Sequence, residues 1–404
     1  MRRKFLVLIL ISTLLISGCW DRREINDLAL VVASAIDLEG KQTVFTAQIA
    51  NPVALIPGQG GGGGTGGGPK AFWTVAGRGV DVWEAIKDIT SRIPKIMFFG
   101  HTRVLIIGEK ACKTGINPFL DAAFRGREGR GNTFLGISRG EAKKILETEM
   151  PTFRSSGFAL ANMFTLVGES QTIMPVTIND FTYTLSTGVT SPVAPMIELV
   201  PQSSVSAEDV KAPGGPGKTI RISGLAVFTP DGKLAGFFNR EQTLGLMWVL
   251  NKVKTRSLTV PCPVEGPKEP ITLFIRKSHS KIIVHMNQDG QPEFEIRVKT
   301  ICDMVEHFGA HTGMLTIKMV KSIERRTNTQ IEKEILQTLA RSQQMGTDCF
   351  GLAEELKRQH YREWQNLKPE WKDIFPMVKV TVNAETSLRN RGLTVESPGG
   401  RKEH

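Results

Sequence analysis

The chain has 404 residues, 40% hydrophobic and 23% charged, proportions of a folded rather than a disordered protein. Lysine and arginine outnumber the acids by eleven, yet no basic run is interleaved with aromatics. That excess fits weak attraction to anionic surfaces and excludes an obvious nucleic-acid footprint. The five cysteines contain no CxxC spacing, which removes the common zinc-ribbon and thioredoxin-like patterns.

Three cations, Arg2, Arg3 and Lys4, precede an apolar stretch from Phe5 to Ile16, and Ser17-Gly18 then meet Cys19. About a dozen apolar residues are too few to span roughly 30 Å of hydrocarbon, and they suit a signal-peptide core. Small residues let a chain enter a peptidase cleft extended, and a cysteine at the new N-terminus offers a thiol for lipid. Ile16-Ser17-Gly18-Cys19 therefore reads as a lipobox. The expectation is that residues 1–18 are removed and Cys19 becomes an S-diacylglycerol, N-palmitoyl cysteine holding the rest at a membrane. Ordinary secretion and a retained anchor are the alternatives. No later stretch approaches 18 uninterrupted apolar residues. Loss of the three leading cations reduces the positive excess from eleven to eight.

Beyond Cys19, Leu28–Leu38 and Thr43–Ala50 are two β-rich runs around Glu39-Gly40-Lys41, a hairpin pattern. The run from Pro57 to Pro69 is a flexible glycine loop; no Gly-Lys-Ser/Thr follows it, so it is not a phosphate-binding loop. Phe72–Ala76 predicts a strand and Val80–Ile93 a helix. Arg103–Ile107 is strand, Ile116–Phe124 helix, Asn132–Ile137 strand and Gly140–Glu147 helix. Phe158–Val167 and Ile178–Leu185 are further helices, and Pro195–Val200 a strand. Pro201–Lys218, rich in Ser, Gly and Pro, predicts a linker between domains.

Past it, Ile220–Phe228 and Lys233–Phe238 flank Pro230-Asp231-Gly232, a hairpin signal. A helix over Arg240–Lys252 follows, then strands at Ser257–Val260, Thr272–Ile275, Lys281–His285 and Glu293–Thr300. Lys318–Gln344 predicts a long helix with Ile331, Ile335 and Leu339 as its apolar stripe and Glu324, Arg325, Glu332 and Lys333 on its wet side. Asp348–Glu363 predicts a second helix. Pro376–Val382 alternates as a strand, with Glu385–Arg391 a candidate to pair with it. The fold class is α+β and multi-domain, with mixed and antiparallel sheets. The expected units are a signal peptide over 1–18, an α/β-type region over 19–200, a linker over 201–218 and a C-terminal α+β region over 219–395. That last region carries a long helix and antiparallel strands, with room for two subdomains, and a polar tail over 396–404 ends the chain.

No catalytic constellation emerges. Serines are common, but none sits in a Gly-x-Ser-x-Gly elbow. His307 and His311 would share a face only on a helix, with Gly309 between them and no third ligand in view, so surface or capping histidines are the simpler reading. Glu354-Glu355, Glu370 and Asp373 read as a solvated helix face. Trp364 and Trp371 read more simply as a clamp of helix on sheet than as a sugar platform. Cys112, Cys262, Cys302 and Cys349 are candidates for buried thiols, with a Cys262–Cys302 disulfide as the alternative. The expectation is no enzyme, no cofactor and no metal.

Several segments together resemble one family. Gly18-Cys19-Trp20-Asp21-Arg22-Arg23-Glu24-Ile25-Asn26-Asp27 and the following Ala35-Ile36-Asp37 look like the start of the Ger(x)C proteins. These are the C-subunit lipoproteins of nutrient germinant receptors in spore-forming Firmicutes. Ser223–Phe228 with Asp231–Phe237 resembles the family's central hairpin. Asp348–Glu354, Trp364, Trp371, Phe375-Pro376 and the strand Val378-Val380-Val382 resemble its C-terminal domain. Two features depart from it: the long glycine loop, and Cys349 where an aliphatic residue is expected. The resemblance implies a non-enzymatic, lipid-anchored receptor subunit on the outer face of the spore inner membrane. Its partners would be integral-membrane A- and B-type subunits. A solute-binding lipoprotein of a transporter, with two doubly wound lobes, is the competing reading, and an anchored wall hydrolase a third.

Overall fold

The computed structural model describes residues 27–51, 71–126, 128–150, 153, 155–170, 173–202, 217–262, 266–307 and 316–390. Cys19, the glycine run, most of 201–218 and the tail lie outside them.

The first sheet starts as predicted. β1 (Leu28–Glu39) and β2 (Gln42–Ala50) pair antiparallel from Glu39↔Gln42 outward, joined by Gly40-Lys41. Gly40 has φ +62°, a left-handed turn conformation that glycine adopts without a Cβ penalty. β3 (Phe72–Gly79) adds to β2, and the Asn51 N–H donates to the Ala71 carbonyl at 2.8 Å where the two strands meet. α1 (Val82–Thr90) starts on Asp81, whose carboxylate accepts from the Glu84 N–H. Short β4 (Ile96–Phe98) and then β5 (Val104–Gly108) both lie parallel to β1, end to end along its free side.

The chain continues through α2 (Glu109–Thr114), α3 (Asn117–Arg125), β6 (Phe134–Ser138), α4 (Ala142–Glu147), α5 (Ser156–Ser170), α6 (Ile178–Ser186) and β7 (Val193–Pro201). β8 (Lys218–Phe228) and β9 (Leu234–Phe238) complete a nine-stranded sheet of order β3-β2-β1-β5-β6-β7-β8-β9, with β4 beside β1. Its centre, β1-β5-β6-β7, is parallel and its flanks are antiparallel. Both faces are covered. One carries Ile36, Phe45, Leu105 and Ile107 beneath helices α1 and α3. The other carries Ala33, Ala35, Val104 and Ile106 beneath Ile145 and Leu146 of α4 and Leu160 and Phe164 of α5. Burial on both sides explains why β1 and β5 read as near-continuous apolar runs.

The two ends of the predicted linker, 201–218, lie in the first sheet. β7 and β8 pair antiparallel up to Pro201↔Lys218, and the Gln202 N–H donates to the Gly217 carbonyl at 2.6 Å. Residues 203–216, between those ends, lie outside the described residues.

α7 (Arg240–Val249) opens on a reciprocal cap: Asn239 Oδ1 accepts from the Gln242 N–H, and Gln242 Oε1 accepts from the Asn239 N–H. Every residue from Thr243 to Val249 is buried, because this helix packs against strand β8, the second sheet and the long helix that follows. The second sheet has the order β10 (Arg256–Cys262), β11 (Gly266–Met286), β12 (Pro292–His307) and β13 (Lys379–Asn390). α8 (Ile317–Gln344) lies across it, starting on Thr316. α9 (Leu352–Gln359), α10 (Tyr361–Leu367) and the single turn α11 (Trp371–Ile374) return the chain to β13.

Three expectations change in this half. The strands at 272–275 and 281–285 are parts of one 21-residue strand. The helix over 348–363 breaks at His360, whose φ −137°, ψ +67° is not helical. Residues 385–390 do not turn back on 379–382; β13 continues straight and pairs parallel with β12, so the second sheet is not wholly antiparallel.

Candidate functional site

Cys19 lies outside the described residues, but β1, the central strand, begins nine residues after it. The four remaining cysteines are buried. Cys302 is uncrosslinked, so the Cys262–Cys302 disulfide is not formed. Burial pushes the Cys302 and Cys349 thiols up to about 12 and raises Cys112 further. Such thiols stay protonated and are poor nucleophiles. Cys349, the departure from the family pattern, packs beside Phe350 and Leu352 and fills the place of a small hydrophobe.

His307 sits in β12 opposite Ile271, on a strand rather than the helix a His-x-x-x-His site would need; His311 lies outside the described residues. Glu355 is held by Arg358 and Gln359 on the surface of α9. Trp364 and Trp371 are both buried, edge to face at 5.6 Å, and Trp371 meets Phe294 of β12 at 6.3 Å. That is the clamp of helix on sheet.

The buried acids are structural. Asp37, at the end of β1, accepts from the Ala142 and Lys143 N–H groups at 2.7 and 2.8 Å and so caps α4. Burial raises its pKa, opposed by those two N–H groups. Asp348 caps α9 by accepting from Leu352 and Ala353 at 3.0 and 2.8 Å, while its carbonyl accepts from the Ser191 N–H. Burial pushes its carboxyl up to about 6, against the pull of the same backbone groups. Asp303 pairs with Arg276 at 2.6 Å. Glu334 receives the Arg256 guanidinium and the Trp248 indole N–H. The sequence carried a signal for that cluster, an acid three residues after Ile331 inside the apolar stripe of α8. Glu324 and Glu332, expected on the wet side, accept instead from the Leu388 and Ala384 N–H groups of β13. They cover donors on a strand edge that would otherwise be open to pairing.

One cavity stands out on the α1/α3 side of the first sheet, with a volume of about 300 Å³. Ser34 and Ile36 of β1, Phe45 of β2 and Leu105 of β5 floor it, and Trp83 of α1 and Phe124 of α3 form its rim. The rim side chains are 47% and 44% exposed, whereas Ser34 is 3% exposed. Reading β1 as a plain apolar strand misses Ser34. Its signal is a lone hydroxyl on the Ile36 face.

A mixed sheet buried on both sides, a second sheet under a long helix and buried acids held in caps and ion pairs define a two-sheet α+β protein. Family models described as "Spore germination protein N-terminal domain" and "Spore germination B3/ GerAC like, C-terminal" match residues 21–199 and 223–392. The chain belongs to the Ger(x)C family of spore germination proteins. It is 27% identical over 397 residues to spore germination protein KC of Bacillus subtilis (strain 168), covering 96% of this chain and 95% of that protein. It is 29% identical over 389 residues to the putative spore germination protein YfkR of the same strain, covering 96% of each. The crystal structure of the GerBC protein has the same fold at 20% identity and a TM-score of 0.57, covering 89% of this chain and 97% of that one.

Proposed function

We propose that this chain is the lipid-anchored, non-enzymatic C subunit of a spore nutrient germinant receptor. It would act through contacts with integral-membrane A- and B-type subunits at the outer face of the spore inner membrane. The observation that carries the reading is the family match along nearly the whole chain behind a lipobox cysteine. Nine residues of extended chain reach at most about 30 Å, so acylated Cys19 would hold the β1-start end of the first sheet close to the lipid. Lys95 and Ile96, the latter 47% exposed, lie at that end because Ile96 pairs with Leu28. The commitment of Asp37, Asp303, Glu334 and Asp348 to caps and ion pairs supports a role by contact rather than catalysis.

Fractionation of spores carrying Cys19→Ala tests the anchor. The variant protein is expected in the soluble fraction, folded, with the germination response lost. Recovery of that variant firmly in the membrane fraction would defeat the lipid-anchor reading.

A further inference from the structure

We infer that the β1-start end of the first sheet is a lipid-contact surface, with Trp73 and Ile96 entering the interface of an anionic bilayer and Lys95 meeting lipid phosphate. The inference deepens the proposed function and rests on its lipid anchor.

Strand register assembles the surface. β1 begins at Leu28, and Ile96, the first residue of parallel β4, pairs with it on one side. On the other side Val31 pairs with Ile49 of β2, and Ile49 with Trp73, the second residue of β3. Three strand spacings and three residue steps therefore separate Trp73 from Ile96, about 17 Å. The two side chains point to opposite faces of the sheet. An added Cβ at Gly77, on the same side of β3 as Trp73, would meet Ala85 of α1. Met97, next to Ile96, lines the cavity under α1, so Ile96 turns the other way. The pair thus straddles β1 where its chain leaves toward Cys19.

Their chemistry suits a bilayer surface. Trp73 is 39% exposed and Ile96 47% exposed. Tryptophan joins an apolar body to an N–H donor, the combination favoured at headgroup depth. Lys95 is exposed beside Ile96, at the end of the turn that leads from α1 into β4. Arg92 of that turn is already held by Asp88 at 2.8 Å and by the Ala76 carbonyl at 2.7 Å. Asp27, exposed before Leu28, opposes the attraction, so the apolar pair carries the larger share of the contact.

The tether supplies the occupant. Residues 20–27 join Cys19 to β1 and reach at most about 30 Å. Acylation therefore keeps this end within one short chain of the lipid. Lys41, in the turn at the far end of the 12-residue β1, lies about 40 Å further away. The chain's excess of eleven cations over acids favours an anionic surface.

The cysteines at 112, 262, 302 and 349 are buried, so a thiol-reactive dye reaches an introduced thiol instead. Acylated protein carrying bimane at Trp73→Cys, Ile96→Cys or Lys41→Cys is reconstituted on vesicles of phosphatidylglycerol and phosphatidylcholine with brominated acyl chains. Bromine quenches a dye only in contact with the lipid. Loss of emission from Trp73→Cys and Ile96→Cys, with none from Lys41→Cys, is expected. Protein that floats with the vesicles while the first two keep full emission, as when this end faces a partner protein, overturns the inference and leaves the anchor standing. Equal quenching at Lys41→Cys also overturns it, because the sheet would then lie flat. The unacylated Cys19→Ala chain reads the contact without the anchor. It should bind phosphatidylglycerol vesicles weakly, and about fivefold more weakly with Lys95→Gln added, the share of one cation. Binding left unchanged by both Lys95→Gln and Ile96→Ser would assign the contact to another surface and defeat the inference. Failure of the acylated chain to float defeats the anchor reading, and the unacylated chain then decides the contact.

Discussion

Arg256 of β10 and Glu334 of α8 form a two-pronged ion pair, Nη1 to Oε2 at 2.8 Å and Nη2 to Oε1 at 3.0 Å, with both side chains under a tenth exposed. Trp248 of α7 completes it: its indole N–H donates to Glu334 Oε2 at 2.8 Å, and its ring lies 5.4 Å from the guanidinium carbon. Three elements separated in sequence are thus joined through one carboxylate, at the place where α7 links the two sheets.

Removing that carboxylate leaves a buried cation and a buried indole N–H unpaired. Glu334→Ala is expected to lower unfolding free energy by about 3–5 kcal/mol, and Glu334→Gln by less because it keeps an acceptor. Urea unfolding followed by fluorescence measures both. Equal, small losses for the two variants would mean that the pair is dispensable.

α7 and α8 also approach closely at Gly245. An added Cβ there would overlap Thr338 Oγ1 and the Glu334 carbonyl oxygen. Gly245→Ala should therefore destabilise by about 1–3 kcal/mol despite alanine's better helix propensity. A stabilised variant in the same urea assay would show that the helices can separate without cost.

Asp348 makes a prediction about pH. Its folded-state carboxyl titrates near 6, above the ordinary 3.8, because it is buried. The folded chain therefore binds the proton more tightly than the unfolded chain. The resulting stability is fully present below about pH 4 and is lost as pH rises through 6. Asp348→Asn removes that dependence. From pH 4 to pH 7 the stability difference should swing toward the variant by about 2–3 kcal/mol. A difference that stays level across this range would contradict the assignment.

Deleting Gly60–Gly64 shortens the connection between β2 and β3, whose ends are closed by the Asn51–Ala71 hydrogen bond. Loop closure depends on the logarithm of length, so the change should be about 0.3 kcal/mol. A drop of several degrees in melting temperature would show that the glycine run packs against the body.

Local signals carried much of this fold. Gly40 marks the first turn, Asp231-Gly232 the second, and the 3.6-residue stripe of Ile331, Ile335 and Leu339 marks α8. The clamp of Trp364 on Trp371 was also legible, since two tryptophans bracketing a Lys-Pro turn have few other places to go.

Non-local pairing was not legible. The register shift between Ile275 and Lys277 interrupts the alternation of β11, so one strand read as two. β13 finds a parallel partner nearly ninety positions back, Lys379 against Glu293, and no local pattern announces it. The roles of Glu324 and Glu332 depend on that strand's position and were hidden for the same reason. At the candidate site, Cys19 rests on a sequence pattern, whereas the cavity around Ser34 needs four strands and three helices to exist.

The central claim is that this chain works as one subunit of a membrane receptor. Its most direct test is affinity purification of the tagged, acylated protein from detergent-solubilised spore inner membranes, with the co-purifying proteins identified by mass spectrometry. Recovery with two integral-membrane partners, the A- and B-type subunits, is the predicted result. Recovery alone, or with the permease and ATPase of a solute importer, would contradict it.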